Sequence, residues 1–164
     1  MLGRIFGKKK HFELDKYDIG QSELSYWSTV SVETDELLVI VRVRTEKPML
    51  PDISEYNKCV SIVWEYQPGL QQLPEKSVNE EHVAFEGALD DLSMYNNLSF
   101  LMGVSNGKGL KEWVFYVKDC DEFMEIFNKA LENQPRYPVK VQLFDDPDWE
   151  IWHEKLEVYE NSKD

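Results

Sequence analysis

The stretch "LSFLMGVSNGKGLKEWVFYVKD", residues 98–119, decides the fold. Two runs rich in β-branched and aromatic residues flank Asn106-Gly107-Lys108-Gly109. Asn106 and Gly107 tolerate the positive φ of a tight hairpin turn, so the stretch is predicted as two antiparallel strands over 98–105 and 110–118. The glycines join two strands instead of opening a helix, which argues against a phosphate cradle. Trp113, Phe115 and Tyr116 have the chemistry of a base-stacking platform. In an acidic chain they are assigned to the core of a sheet.

Working outward, "KCVSIVWEYQ" (58–67) has a continuous apolar centre, the pattern of a strand in the interior of a sheet. Between it and the hairpin, a loop through Pro68, Gly69 and Pro74 leads into a helix over 78–95. Ser77 and Glu80 have the spacing of a capping box, and Phe85, Leu89 and Leu92 fall on one face. Beyond the hairpin, Asp119 or Asp121 caps a second helix over 120–133 with the face Phe123, Ile126, Phe127, Ala130 and Leu131. Pro135 ends it. "YPVKVQLF" (137–144) is the last strand. Over 58–144 the order is strand, helix, strand, strand, helix, strand. This predicts an α+β fold with a ferredoxin-like (split βαβ) antiparallel sheet and both helices on one face.

Upstream, "YWSTVSVETDELLVIVRVRTE" (26–46) alternates with period two on both sides of a turn near Glu33 to Glu36. It is an added N-terminal β-hairpin that extends the sheet. Residues 1–25 are a lead-in, and its first ten, "MLGRIFGKKK", put basic residues after a very short apolar run, whereas a signal peptide has the reverse order and a longer apolar core. The rest, 26–164, is one α+β domain: hairpin and loop (26–57), core (58–144) and an acidic C-terminal helix (145–164).

That helix opens in "LFDDPDWEIWHEKLE", residues 143–157. Pro147 suits the first helical position, and Asp146 is then the N-cap. Asp148 and Glu150 favour the positive end of the helix dipole. Capping accounts for these three carboxylates without catalysis. Trp149, Trp152, Leu156 and Tyr159 recur at helical spacing and predict a buried face. Residues 145–164 hold eight acidic and two basic side chains, a net charge of -6 out of -13 for the whole chain.

Such a charge repels nucleic-acid phosphate and anionic lipid and attracts a basic protein partner. With 42% hydrophobic and 13% aromatic residues the chain can build a core. No apolar run has the length of a membrane span, and the chain is read as cytoplasmic. Cys59 and Cys120 lack metal-ligand spacing and are assigned as buried thiols. His82 lies four residues before Glu86, and His153 sits beside Glu154. Neither histidine has a second one nearby, so no metal or cofactor site is assigned. No nucleophile elbow, phosphate loop or dinucleotide fingerprint is present. A triad assembled from distant residues is left open, because its members meet only in space.

Residues 86–159 resemble a bacterial family known as domain of unknown function 695. The resemblance rests on "EGALDDL", on "FLMGVSNGKGLKEWVFYVKD" and on "YPVKVQLFDDPDWEIW". It places the family's glycine-bearing hairpin at Gly103 to Gly109, its aromatic strand at Trp113 to Val117 and its Asp-Pro-x-Trp element at Asp146 to Trp149. It extends more loosely back to Trp27. The family is similar in shape to the regulator of ribonuclease activity B, an acidic ferredoxin-like protein that binds and inhibits an enzyme. That likeness is an analogy of fold.

Two function classes follow. The first is a non-catalytic acidic module, an inhibitor or immunity protein neutralising a basic partner such as a nuclease or toxin. It would bind through Asp145, Asp148, Glu150, Glu154 and Glu157. The second is a hydrolase with a site assembled from scattered His, Asp and Glu residues. A housekeeping domain without a specific partner is a third reading. A pocket lined by His82 or His153 and carboxylates favours the enzyme, and an acidic face without one favours the binding module.

Overall fold

A computed structural model describes residues 26–90 and 97–163. The expected lead-in 1–25, Leu92 and residues 91–95 of the predicted 78–95 helix lie outside the described residues, and the described helix ends earlier than predicted, at Ala88 with Leu89 as its C-cap. Among the described residues six strands form one sheet: β1 (Trp27–Glu33), β2 (Leu38–Arg44), β3 (Lys58–Glu65), β4 (Ser99–Gly107), β5 (Leu110–Val117) and β6 (Val139–Asp145). Their spatial order is β1-β2-β4-β5-β3-β6, and every neighbouring pair is antiparallel. Among the described residues the helices α1 (Lys76–Ala88), α2 (Cys120–Ala130) and α3 (Glu150–Glu160) accompany them. The fold is thus a mixed α/β one, with the N-terminal hairpin continuing the sheet through β2 and β4 as predicted.

Period-two alternation sends each strand's side chains to two separate cores. On one face Val60, Ile62 and Trp64 of β3 join Trp113, Phe115 and Val117 of β5. Phe85 of α1 and Phe123 and Phe127 of α2 close over them. The two helices therefore share a face. On the other face Val30, Val41, Val43, Met102, Val114 and Tyr116 pack against Trp149, Trp152, Leu156 and Tyr159 at and within α3. A sheet covered on both sides explains why β3 and β5 read as nearly continuous apolar runs.

β4 serves both cores through an irregularity. Its pairing with β5 slips between Leu101 and Gly103, so Met102 is an extra residue. This bulge lets Met102 face the α3 core while Val104 faces the α1/α2 core. Two tight approaches follow on the same strand. A Cβ on Gly103 would stand 2.8 Å from Cδ of Lys155, and one on Gly107 would stand 2.7 Å from the Leu38 carbonyl oxygen.

Four local expectations are corrected. The hairpin turn lies at Lys108 and Gly109 (φ 56° and 74°), because Gly107 remains in strand β4 against β2. The capping box does not form. α1 starts directly after extended Glu75, so Ser77 is already inside its first turn and caps nothing. Pro147 is not the first residue of α3. Asp146 to Trp149 form a turn closed by Trp149 N–H donating to the Asp146 carbonyl (3.1 Å), and Trp149 takes a left-handed conformation (φ 57°, ψ 38°). Cys59 is buried, but Cys120 is only half-buried. At α2 the prediction of Asp119 holds: its carboxylate accepts from the backbone of Asp121 (2.8 Å) and Glu122 (3.0 Å).

Candidate functional site

α3 is fixed by its inner face. The indole of Trp149 stacks on Tyr116, with centroids 4.0 Å apart and planes within 7°. This contact opposes the strain of a bulky side chain in the left-handed region. Asp146, though four residues before the helix, caps it: its carboxylate accepts from Glu150 N–H (2.8 Å) and Ile151 N–H (3.1 Å). The same carboxylate accepts from the Tyr116 hydroxyl (2.6 Å), whose oxygen accepts from Trp152 N–H (3.1 Å). Burial, followed by the bond to Asp146, pushes the Tyr116 phenol well above its ordinary range. Trp152 Nε1 donates to the Arg44 carbonyl of β2 (2.8 Å).

Lys155 leaves the flank of α3 and enters a polar network on the sheet. Its Nζ bonds Glu112 and Ser105, and the other Glu112 oxygen accepts from Ser61 (2.7 Å). Burial alone would raise the Glu112 pKa. The Lys155 charge and the hydrogen bonds outweigh it and hold the carboxylate below its usual range. A second network lies on the opposite face. Glu86 accepts from Trp113 Nε1 (2.8 Å) and pairs with Lys111 (3.0 Å) and, more loosely, Arg42 (3.8 Å). Here too burial opposes ionisation, and the charges of Lys111 and Arg42 prevail to keep the pKa low. These clusters were missed in the sequence. The signal was Lys111-Glu112 inside an otherwise apolar strand, two adjacent charges that alternation had to place on opposite faces.

The outer face of α3 is the acidic surface expected. At about 100° per residue, Glu150, Glu154 and Glu157 fall within one narrow stripe. It lies opposite the buried Trp152, Leu156 and Tyr159. Asp148 is exposed just before the helix. Among the described residues none of these four carboxylates has an ion pair. Asp145 differs: it is exposed but tied to Lys58 across the β6–β3 ladder.

Among the described residues His82 and His153 join no cluster of three or more potential metal ligands. His82 has no exposed surface and is enclosed by Trp64, Tyr66 and Trp113, at centroid distances of 4.7, 5.6 and 5.9 Å. Neither ring nitrogen has a hydrogen-bond partner among the described residues. Burial, then the Lys111 charge, lowers its pKa to about 4. His153 is exposed beside Trp152. Among the described residues no group of three or more His, Cys, Asp or Glu is placed to hold a metal ion. An open cleft of about 640 Å³ lies at the β4–β5 turn, lined by Glu65, Tyr66, Asn106 and Lys108 among others. Neither histidine borders it. Its Glu65 pairs with Lys140, and its Tyr66 hydroxyl bonds Asn106 (2.9 Å) with a pKa pushed by burial to about 12. Among the described residues no helix is long and apolar enough to cross a membrane.

A family model described as "Family of unknown function (DUF695)" matches residues 25–157. No curated protein and no solved structure matches the chain.

Proposed function

The chain belongs to the DUF695 family, and from that premise we propose that it is a non-catalytic binding module for a basic partner protein. It would act as an inhibitor or immunity protein, in the cytoplasm, through the outer face of α3. One observation carries this reading: Glu150, Glu154 and Glu157 stand in register on the outer face of a docked helix and have no ion pair among the described residues. Like charges three and four residues apart destabilise a helix by a few tenths of a kcal/mol per pair. A basic partner relieves that repulsion, and the acidic stripe steers its approach. Asp148 extends the stripe at the start of the helix. Asp145 joins it only by exchanging its bond to Lys58. The cleft, with neither histidine at its rim, supports a binding module over a hydrolase.

The core is read as the split βαβ, ferredoxin-like unit. The support is its spatial order β6-β3-β5-β4 and the placement of α1 and α2 over one face. In such a unit the opposite face is free for an added element, and α3 takes that place.

The test is capture from host lysate with wild-type protein and with Glu150→Lys/Glu154→Lys/Glu157→Lys, identified by mass spectrometry, after circular dichroism shows equal folding. A partner of basic pI held by the wild type and lost by the variant is the expected result. Surface plasmon resonance should then show slower association for the variant and a flattened salt dependence, with a smaller change in dissociation. Equal capture and equal association rates at low salt would remove α3 from the proposal.

A further inference from the structure

The outer edge of β6 is unpaired among the described residues, since β6 ends the sheet order. Proteins protect such edges with charges that a second strand would have to bury. On β6 the two charges, Lys140 and Asp145, are each paired with β3, to Glu65 and Lys58, while their side chains stay largely exposed. Between them lie half-buried Val141 and exposed Gln142, Leu143 and Phe144, with Leu143 48% and Phe144 42% exposed. These are two large apolar side chains, one on each face of an edge strand.

The geometry points to this edge as a self-pairing interface, its partner a second copy of this chain joined antiparallel through β6. The register follows from the strand itself. β6 has seven residues, and its centre is Gln142. A two-fold axis through Gln142, perpendicular to the sheet, pairs the whole strand and keeps each face on its own side. Gln142 then meets Gln142 of the second copy. Leu143 meets Val141, which is partly buried in the α1/α2 core, so the apolar layer continues across the joint. Phe144 meets Lys140, whose aliphatic stem covers the ring. Asp145 meets Val139. No like charges oppose each other at any position.

The ends are complementary as well. Antiparallel pairing brings the start of one β6, preceded by exposed Arg136, to the end of the other, where Asp145 and Asp148 are exposed. The alternating outward N–H and C=O groups of the two edges satisfy one another, and two six-stranded sheets become one. The interface shares Asp145 and Asp148 with the binding reading above but uses none of the α3 stripe residues Glu150, Glu154 and Glu157, so reversal of those three charges tells the two readings apart.

The test is sedimentation of the purified chain over a wide concentration range, together with two variants. The wild type is expected to reach twice the chain mass. Leu143→Lys, at a half-exposed position the fold tolerates, places a charge against Val141 and should sediment as a monomer with an unchanged circular dichroism spectrum. Register is read by cysteine cross-linking. Directly opposed residues have Cβ atoms about 4.5–5.5 Å apart, so Gln142→Cys should form a disulfide-linked dimer under mild oxidation. Lys140→Cys is the control. Its two copies stand four residues apart along the strand, roughly 14 Å at about 3.4 Å per residue, and should not cross-link. A wild type that stays monomeric at every concentration overturns the proposal. So does a dimer that survives Leu143→Lys, or one that cross-links equally from positions 140 and 142. Charge reversal of Glu150, Glu154 and Glu157 should leave the sedimenting mass unchanged, and conversion to monomer would also count against it.

Discussion

Replacing His82 by phenylalanine should remove a defined part of the protein's sensitivity to mild acid. In the folded protein the His82 ring is fully enclosed among Trp64, Tyr66 and Trp113, and its pKa falls from 6.5 to about 4. The neutral ring is thus the folded form, and the unfolded chain takes up a proton first as pH drops. Above pH 6.5 neither state is protonated and His82 adds no pH dependence. Between 6.5 and 4 the unfolded state binds the extra proton, so stability declines as pH falls, by about 1.4 kcal/mol per unit. At pH 5 the loss through this one residue is about 2 kcal/mol, a large fraction of a typical folding free energy of 5–15 kcal/mol. The assay is denaturant unfolding of wild type and His82→Phe at pH 7.5 and 5.0, followed by tryptophan fluorescence. Glu86, Lys111 and the surface carboxylates are present in both proteins, so their titration cancels in the comparison. Phenylalanine suits an aromatic cage and carries no nitrogen to leave unpaired. Wild type should lose about 2 kcal/mol more than the variant between the two pH values. Equal losses would show that His82 is solvated or protonated when folded, and the enclosure argument would fail.

Two further outcomes test how α3 is held. Trp152→Ala removes a buried ring and its bond to the Arg44 carbonyl, and should cost about 3–5 kcal/mol in denaturant titration. A loss under about 1 kcal/mol would make the helix peripheral. Lys155→Met leaves Glu112 ionised and buried without its cation, and should cost about 3–5 kcal/mol at neutral pH. Glu112 is held below its usual range by Lys155, so in the wild type its contribution is present above pH 4.5 and is lost as pH falls further. The deficit of the variant should therefore shrink on acidification below that value, as unfolding monitored at pH 7 and pH 4 will show.

The strands were legible because a sheet covered on both faces leaves a plain signature, as in "KCVSIVWE" and "KEWVFYV". The Met102 bulge was not, since one extra residue in "FLMGV" changes no composition and only shifts parity. The turn was misplaced by two residues because Gly107 serves an approach of β2 that no local pattern announces. At the candidate site the charge of α3 and its buried aromatic face were readable from helical spacing. The separate fates of Asp145 and Asp146 were not. One is tied to Lys58, 87 residues earlier, and the other accepts from Tyr116, 30 residues earlier. Both partners become neighbours only once the sheet exists.

The bond from Trp152 to the Arg44 carbonyl spans 108 residues of chain. It joins the first hairpin to the last helix, and Val30, Val41 and Val43 have α3 as their cover. On the ribosome the hairpin is made early, and its apolar face stays wet until residues 150–160 have emerged. In that interval the nascent chain lacks the cover over a sheet face of the kind that attracts chaperones or neighbouring chains. Its protection arrives all at once, when the final turns of α3 close over it.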